Sequence, residues 1–288
     1  MMNTYQIVTD SSCDFTRAQY AEHNLTYAPL TLLYKGREYR SFTEHDELHA
    51  FYDGIRGGEM PTTSAVNPEG WAEVMEPALE EGKDVLCLAF TSGLSTTYQS
   101  AVIAAGELRE KYPQRKILVV DTLCAALGQG LLVHLACRRR DEGYSLEELA
   151  AWVEETKLKL CHWVTVDDLN HLKRGGRVSA TTAFVGGMLG IKPIIHVDND
   201  GKLATVAKCR GRKAAMEYLV QKLCEDGTDV ETVSIAHGDC PGDAAALEAM
   251  IREKCPAVKQ VITGYVGGVI GAHTGPGVLV LFFLGKQR

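Results

Sequence analysis

The residues of this sequence that could do chemistry lie in two clusters of hydroxyls, one basic stretch and one histidine between glycines. The hydroxyls are those of Thr62, Thr63 and Ser64, and those of Ser92 and Ser95. The basic stretch is 173–177, which ends at Arg177, and the histidine is His273. A hydroxyl nucleophile needs an adjacent base, and His273 is the most plausible base for Ser92 or Ser95. The alternative for His273 is a role in bracing its loop or contacting a ligand.

Common catalytic, nucleotide and metal motifs do not occur around these residues. No glycine stands two positions before Ser92, so the G-x-S-x-G nucleophile elbow is not formed. Neither the dinucleotide fingerprint G-x-G-x-x-G nor the phosphate loop G-x-x-x-x-G-K-[ST] is found. His45 and His49 are four residues apart without the H-E-x-x-H pattern, which favours a solvated helix face over a metal site. We therefore expect no metal and no cofactor.

The elements that position the first hydroxyls follow an α/β pattern. The apolar run 84–90 predicts a buried parallel strand, which leads into the hydroxyl-rich loop 91–97 and a helix over 98–111. Strands are also predicted at 5–9 and 117–120, and helices follow them. Loop amides and a helix N-terminus after a strand favour an anion at this edge of the sheet.

The pattern changes near residue 160, which predicts an N-terminal α/β domain over 1–160 and an α+β domain over 161–288. The segment 61–76 is expected to pack with the second domain. The basic stretch 173–177 precedes a helix start at Ser179, Thr181 and Thr182. A hairpin follows, with arms at 191–197 and 202–209. Cations beside a glycine-rich apolar wall suit a ligand with an anionic head and a hydrocarbon body.

Composition and charge narrow the class of protein. The chain has 288 residues, 45% hydrophobic and 23% charged, as in a globular protein. Its net charge of −7 argues against nucleic acid as the main partner. Nine cysteines without a C-x-x-C pair predict reduced core thiols in a cytoplasmic protein. No signal peptide is evident, and the apolar stretch 264–285 is broken in its middle, so no membrane span is expected.

A second basic cluster begins the helix predicted over 210–226. It comprises Lys208, Arg210, Arg212 and Lys213. On an acidic protein such a cluster is either an ordinary solvated helix start or a surface that docks an acidic partner. We predict that Arg212 serves docking rather than ligand retention.

The order of several motifs resembles that of the DegV family, which includes fatty-acid carriers of the FakB type. The motifs are Val8-Thr9-Asp10-Ser11 with Asp14, Pro61-Thr62-Thr63-Ser64, Ser92-Gly93-Leu94-Ser95 with Thr97-Tyr98-Gln99, Val120-Asp121-Thr122 with Gly128-Gln129-Gly130, Leu172–Arg177, Ile191-Lys192-Pro193 and His273–Gly277. The resemblance spans residues 5–285. One departure lies at Ala65-Val66-Asn67, where the family usually continues Gln-Pro-Ser.

The resemblance implies one long-chain fatty acid bound in a channel between two domains. Its carboxylate would be held by the Thr62–Ser64 hydroxyls and those of Ser92 and Ser95, with Arg177, His273 and Gly275 nearby. The family's carriers present the carboxylate to a partner fatty acid kinase, of the FakA type, which makes an acyl phosphate from ATP. Such a carrier is not itself an enzyme and needs no cofactor beyond its lipid ligand.

Glycine-rich apolar stretches offer room for an acyl tail. They include Gly186, Gly187 and Gly190, and also Gly267, Gly268 and Gly271. Burial contributes about 0.8 kcal/mol per methylene, so about ten methylenes would contribute about 8 kcal/mol and dominate affinity. Two alternatives stay open at this point: a serine hydrolase acting on acyl esters, and a regulatory binder of another apolar acid.

Overall fold

A parallel sheet forms the first part of the molecule. The computed structural model describes residues 5–40, 44–178 and 190–288. Its strands, in the order β2-β1-β6-β7, are β1 (Tyr5–Asp10), β2 (Thr26–Ala28), β6 (Asp84–Ala89) and β7 (Ile117–Asp121). All their pairings are parallel, and every residue of β1 is buried. Helices cover both faces, which explains why these strands read as continuous apolar runs.

A mixed sheet forms the second part, in the order β10-β9-β8-β13-β11-β12. Its strands are β8 (Leu160–Thr165), β9 (Ile191–Val197), β10 (Leu203–Arg210), β11 (Thr232–His237), β12 (Gln260–Tyr265) and β13 (Leu279–Leu284). β13 lies antiparallel between β8 and β11 and is buried along its whole length. The predicted mixture of hairpins and helices after residue 160 is confirmed by this sheet.

A small antiparallel sheet supports the Thr62–Ser64 hydroxyls. It has the order β4-β3-β5, with β3 (Thr31–Tyr34), β4 (Arg37–Arg40) and β5 (Thr62–Ser64). The chain turns between β2 and β3, so these two neighbouring strands join different sheets. The side chain of Leu32 is fully buried beneath this sheet, whereas Leu33 on the opposite face is 44% exposed.

The helices are α1 (Arg17–Glu22), α2 (His45–Arg56), α3 (Pro68–Glu80), α4 (Thr97–Lys111), α5 (Ala126–Asp141), α6 (Leu146–Thr156), α7 (Asn170–Arg174), α8 (Arg212–Asp226), α9 (Pro241–Lys254) and α10 (Gly268–Thr274). Asn67 caps α3 by accepting a hydrogen bond from Gly70, and Pro68 occupies its first turn. The family's Gln-Pro-Ser is thus replaced by a segment that ends in a helix cap. No helix among residues 5–40, 44–178 and 190–288 is long and apolar enough to span a bilayer.

Buried side chains pack on both sheets. One cluster joins the parallel sheet to the mixed sheet through α5, and it includes Leu86, Leu131 and Phe282. Helices α8 and α9 cover the other face of the mixed sheet with Leu219, Leu247 and their neighbours. The cavity described below lies within the first of these regions, between the two sheets. The predicted helix start at Ser179 and the tail-lining residues near Gly186 lie outside the described residues.

The expectation that all nine cysteines are reduced is wrong for one pair. Cys224, near the end of α8, forms a disulfide with Cys255, which follows α9. Neither spacing nor composition indicates this pair, because 31 positions separate the two residues in sequence. Helix packing alone brings the two chain segments together.

Arg212 is less accessible than its place in a basic cluster suggests. Its side chain is 17% exposed, and Nε donates a hydrogen bond of 2.9 Å to Oδ2 of Asp243. Asp167 lies 3.8 Å from its Nη1. The guanidinium therefore joins the start of α8 to the start of α9, and the outward-facing charges of this cluster are those of its neighbours Lys208, Arg210 and Lys213.

Candidate functional site

A cavity of about 440 Å³ lies between the loops of the parallel sheet and the inner face of the mixed sheet. This volume is within the range of about 300–1,000 Å³ that is typical of small-molecule sites. Most of its wall is apolar. Six predicted residues line it: Thr63, Ser64, Ser92, Ser95, Arg177 and His273. The other two, Thr62 and Gly275, do not line it.

Thr63 and His273 are brought together from distant parts of the sequence. Strand β5 turns Thr63 inward, whereas Thr62 faces solvent. Oγ1 of Thr63 lies 2.7 Å from Nε2 of His273, which stands near the end of α10. The two side chains therefore form one hydrogen-bonded pair at the wall of the cavity. Alternation along the strand places Thr62 and Thr63 on opposite faces, and Thr63 lines the cavity; Ser64, the last residue of β5, lines it as well.

The imidazole of His273 is confined on its other side by the backbone. A methyl group at Gly175 would collide with Nδ1 of His273, so the close approach of the ring requires a glycine at that position. Burial, and after it the charge of Arg177, lowers the pKa of His273 to about 4. The ring is therefore neutral near pH 7 and acts as a hydrogen-bonding group rather than a cation.

Arg177 supplies the positive charge of the site. Its Nε donates to the carbonyl oxygen of Leu94 at 3.2 Å, and Nη1 donates to that of Gly175 at 2.5 Å. These two bonds fix the guanidinium between the loop 91–97 and the turn after α7. Burial lowers the pKa of Arg177, yet an arginine remains charged in proteins. Within residues 5–40, 44–178 and 190–288, no carboxylate lies within ion-pair distance of it.

The loop 91–97 is held in place by its own hydroxyls and by the hairpin after β9. Oγ1 of Thr91 donates to the carbonyl oxygen of Gly201 at 3.0 Å, and Gly93 packs against the backbone of Asp200. Ser95 is half-buried and hydrogen-bonds to Thr97, whose Oγ1 lies 2.8 Å from Ser95 Oγ. The loop thus presents Ser95 to the cavity from a fixed backbone.

Gly275 acts on the site from outside the cavity. Its backbone has φ +74°, in the region that favours glycine, and a side chain there would collide with the ring of His171. α10 therefore ends at this point and packs against α7. This contact sets the position of His273 relative to the turn that carries Arg177.

A histidine that the sequence pattern did not single out also lines the cavity. His162 lies on β8, fully buried, with its ring edge-on to Phe282 at 5.2 Å between centroids. In the sequence it is a lone histidine in a short strand, a context typical of a core residue. Alternation along the strand is the signal that could have identified His162, because His162 and Val164 share the face of β8 that lines the cavity.

The geometry does not support a hydrolase. A serine nucleophile needs a hydrogen bond to its base, but Nε2 of His273 is engaged by Thr63. Ser95 is bonded instead to Thr97. In the part of the chain that the structure describes, neither Ser92 nor Ser95 forms a hydrogen bond with a histidine.

Three potential metal ligands lie together on another surface. They are His49, Asp53 and Asp239. Nη1 of Arg56 already contacts both carboxylates, at 2.8 Å from Asp53 and 2.5 Å from Asp239. A guanidinium thus occupies the position of a cation, and this cluster is an ion-pair network between α2 and the loop after β11.

Comparison with known proteins identifies the family. The model of a family described as "Uncharacterised protein, DegV family" matches residues 4–286. The chain belongs to the DegV family. It is 45% identical over 290 residues to a DegV domain-containing protein of Clostridium perfringens, covering 100% of this chain and 99% of the relative.

Solved DegV structures share the whole fold. A DegV family protein from Thermus thermophilus, described by its fatty acid binding, superposes with a TM-score of 0.87 at 31% identity, covering 98% of this chain and 99% of that one. A DegV lipid-binding protein from Thermotoga maritima gives 0.86 at 29% identity and covers 99% of both chains. The expected α/β fold, with its parallel sheet flanked by helices, is thereby confirmed.

Proposed function

We propose that this DegV protein binds one long-chain fatty acid, with its carboxylate among Thr63, Ser95, Arg177 and His273. The observation that carries the proposal is the gathering of these polar side chains on the wall of a cavity that is mostly apolar. Such a site matches a molecule with one charged end and a long hydrocarbon body. The two DegV relatives described by lipid or fatty acid binding support this class of ligand.

The head group receives both charge and hydrogen bonds. Arg177 has no ion-pair partner among the described residues, so an incoming carboxylate supplies the missing negative charge. Thr63 and the neutral His273 form a hydrogen-bonded pair. When Nε2 of His273 donates this bond, the hydroxyl of Thr63 can donate its own proton to the ligand. A charge-assisted hydrogen bond contributes about 1.5–3 kcal/mol, enough to orient the ligand.

The tail supplies most of the affinity. The apolar wall includes Val280 and Phe282, which are alternate residues of β13, and Val278 just before this strand, with Val164 and Ile195 beside them. Each buried methylene contributes about 0.8 kcal/mol, so a tail of ten or more dominates the binding free energy. The head group then decides which end of the ligand faces the hydroxyls.

We further propose that the bound acid is presented to a fatty acid kinase. The sequence has no G-x-x-x-x-G-K-[ST] loop, so ATP would come with the partner. In that reaction a carboxylate oxygen attacks the γ-phosphorus of ATP, giving an acyl phosphate and ADP. Ser92, exposed at the cavity wall, marks a side from which the head group is approached.

The head-group assignment is tested by titrating delipidated protein with a long-chain acid and with the alcohol of the same length. The wild type is expected to prefer the acid at least tenfold. Arg177→Gln is expected to remove most of this preference while retaining alcohol binding. Arg174→Gln is the matched control, because Arg174 is exposed and bonded to His171. Equal affinity of the wild type for acid and alcohol would contradict the proposal.

A further inference from the structure

The cavity has two different ends, and the register of β8 and β13 defines them. β8 leads at its C-terminal end into α7 and then Arg177, and β13 begins shortly after His273. Because the two strands are antiparallel, with Leu279 opposite Thr165, both polar residues connect to the same end of this pair. Towards the other end lies the rung formed by His162 and Phe282, two residue pairs before the pairing ends at Leu160 and Leu284.

This rung lies far from the polar end along the strands. Phe282 follows Val278 by four residues, which corresponds to about 13 Å at the rise of an extended strand. Val280, opposite Val164, lies between them. All of these side chains line the cavity. A ligand whose head is at Arg177 therefore extends its tail along β13 towards His162.

His162 is held rigidly although it is a polar residue in an apolar wall. Nε2 accepts a hydrogen bond of 3.2 Å from the amide of Ala125, and Nδ1 lies 3.0 Å from the carbonyl oxygen of Leu160. Both ring nitrogens are thus satisfied by backbone. Burial lowers the pKa of His162 well below its ordinary value, so the ring is neutral. It offers the ligand a fixed, uncharged surface.

The residues packed behind His162 and Phe282 leave no space for these two side chains to move away from the cavity. A methyl group on Gly128 would collide with Nε2 of His162 and would lie 2.6 Å from Cδ1 of Phe282. The start of α5 is therefore packed directly against both rings. Ala126, in the same turn, has φ +54°, a conformation rare for alanine, and the hydrogen bond that the amide of Ala125 donates to His162 helps to hold this turn.

We propose that His162 and Phe282 form the end stop of the acyl channel, and that the bulk of His162 sets the longest chain this protein accepts. The inference rests on the proposed function, since it assigns a role within the same cavity. A tail that reaches the rung cannot displace His162 without breaking two hydrogen bonds to buried backbone groups. Chains beyond that length are excluded by packing rather than by charge.

The test is a competition among saturated acids of increasing length. Delipidated protein is incubated with an equimolar series from C12 to C22, and the bound species are read by native mass spectrometry. His162→Ala is expected to shift the upper limit by about two to three carbons, because the lost ring has roughly the bulk of a few methylenes. Phe282→Leu is a smaller truncation in the same residue pair, and it is expected to shift the upper limit in the same direction. It keeps the test decisive if His162→Ala does not fold.

Val164→Ala is the matched control. Val164 lines the cavity between the polar end and the rung, so its truncation widens the channel without lengthening it. An upper limit that is unchanged in both His162→Ala and Phe282→Leu, with fatty acid still bound, would overturn the end stop and leave the proposed function intact. A shift as large in Val164→Ala would also overturn it. A wild type that binds no acid of the series would overturn both proposals.

Discussion

Nε2 of His273 lies 2.7 Å from Oγ1 of Thr63, a hydrogen bond that connects β5 with α10. The two residues are 210 positions apart in sequence. Neither is charged near pH 7, because burial holds the pKa of the imidazole near 4. Among the described residues that line the cavity, the pair therefore leaves Arg177 as the cation, and it offers neutral hydrogen-bonding groups to the carboxylate that we propose binds there.

Removing the hydroxyl of Thr63 should weaken fatty acid binding. Thr63→Val retains the shape of the side chain but loses one hydrogen bond, which contributes about 1–1.5 kcal/mol, so the Kd is expected to rise roughly five- to tenfold. Thr62→Val is the matched control, because Thr62 is exposed on the other face of β5. Isothermal titration of the two variants checks this, and equal effects of both would argue against the inward role of Thr63.

Filling the space at Gly175 should displace the imidazole of His273. Gly175→Ala introduces no backbone strain, since φ is −71°, but its methyl group collides with Nδ1. We expect destabilisation of about 1–3 kcal/mol and weaker binding of the acid. The control is Gly106→Ala in α4, where the new methyl meets open space and helix propensity adds about 0.5–1 kcal/mol. Urea unfolding measures the free energy of unfolding of both variants. A Gly175→Ala protein that is as stable as the wild type would refute the close contact.

The unliganded protein should lose stability as the pH falls from about 6.5 to about 4. A histidine titrates near 6.5 in the unfolded chain, whereas burial lowers the pKa of His273 to about 4, so the unfolded chain takes up the proton first. The stability that the neutral, buried His273 contributes is fully present above pH 6.5. His273→Gln is expected to flatten this dependence by on the order of 2 kcal/mol, while the partly buried His134 and the buried His162 retain theirs. Denaturant melts across this pH range decide the point; identical profiles would show that His273 is already solvated.

Reduction of the Cys224–Cys255 disulfide should lower the melting temperature. The bond closes a loop of 31 residues, and the loss of such a link costs about 3 kcal/mol. Cys224→Ser is expected to melt lower than the wild type and to be insensitive to reductant. Cys209→Ser is the control, because Cys209 is a free, partly exposed thiol. A peptide map under non-reducing conditions that finds both cysteines as free thiols would contradict the pairing.

Much of the fold was predictable because its signals are local. Buried strands such as β6 are continuous apolar runs, and Asn67-Pro68 is a recognisable helix start. The disulfide and the ion pair of Arg212 with Asp243 were not predictable, because each joins segments that only tertiary packing brings together. The basic cluster is therefore exposed at Lys208, Arg210 and Lys213 but not at Arg212, whose guanidinium is held in an ion pair.

The candidate site was partly predictable, since its hydroxyls follow strands and loops that the pattern locates. Which hydroxyl faces inward was not, because adjacent residues such as Thr62 and Thr63 differ only in the face of a strand. His162 was missed for a related reason. A single histidine in an apolar strand has no spacing partner, and its place in the wall depends on the register of β8 with β13.

The measurement that tests the central claim most directly is native mass spectrometry of the protein as purified, followed by denaturing extraction of any adduct. We predict one stoichiometric adduct whose extracted mass is that of a long-chain fatty acid, lost on delipidation and regained on incubation with such an acid. A protein that stays at its bare mass after incubation with acids of C14 to C18 would contradict the account.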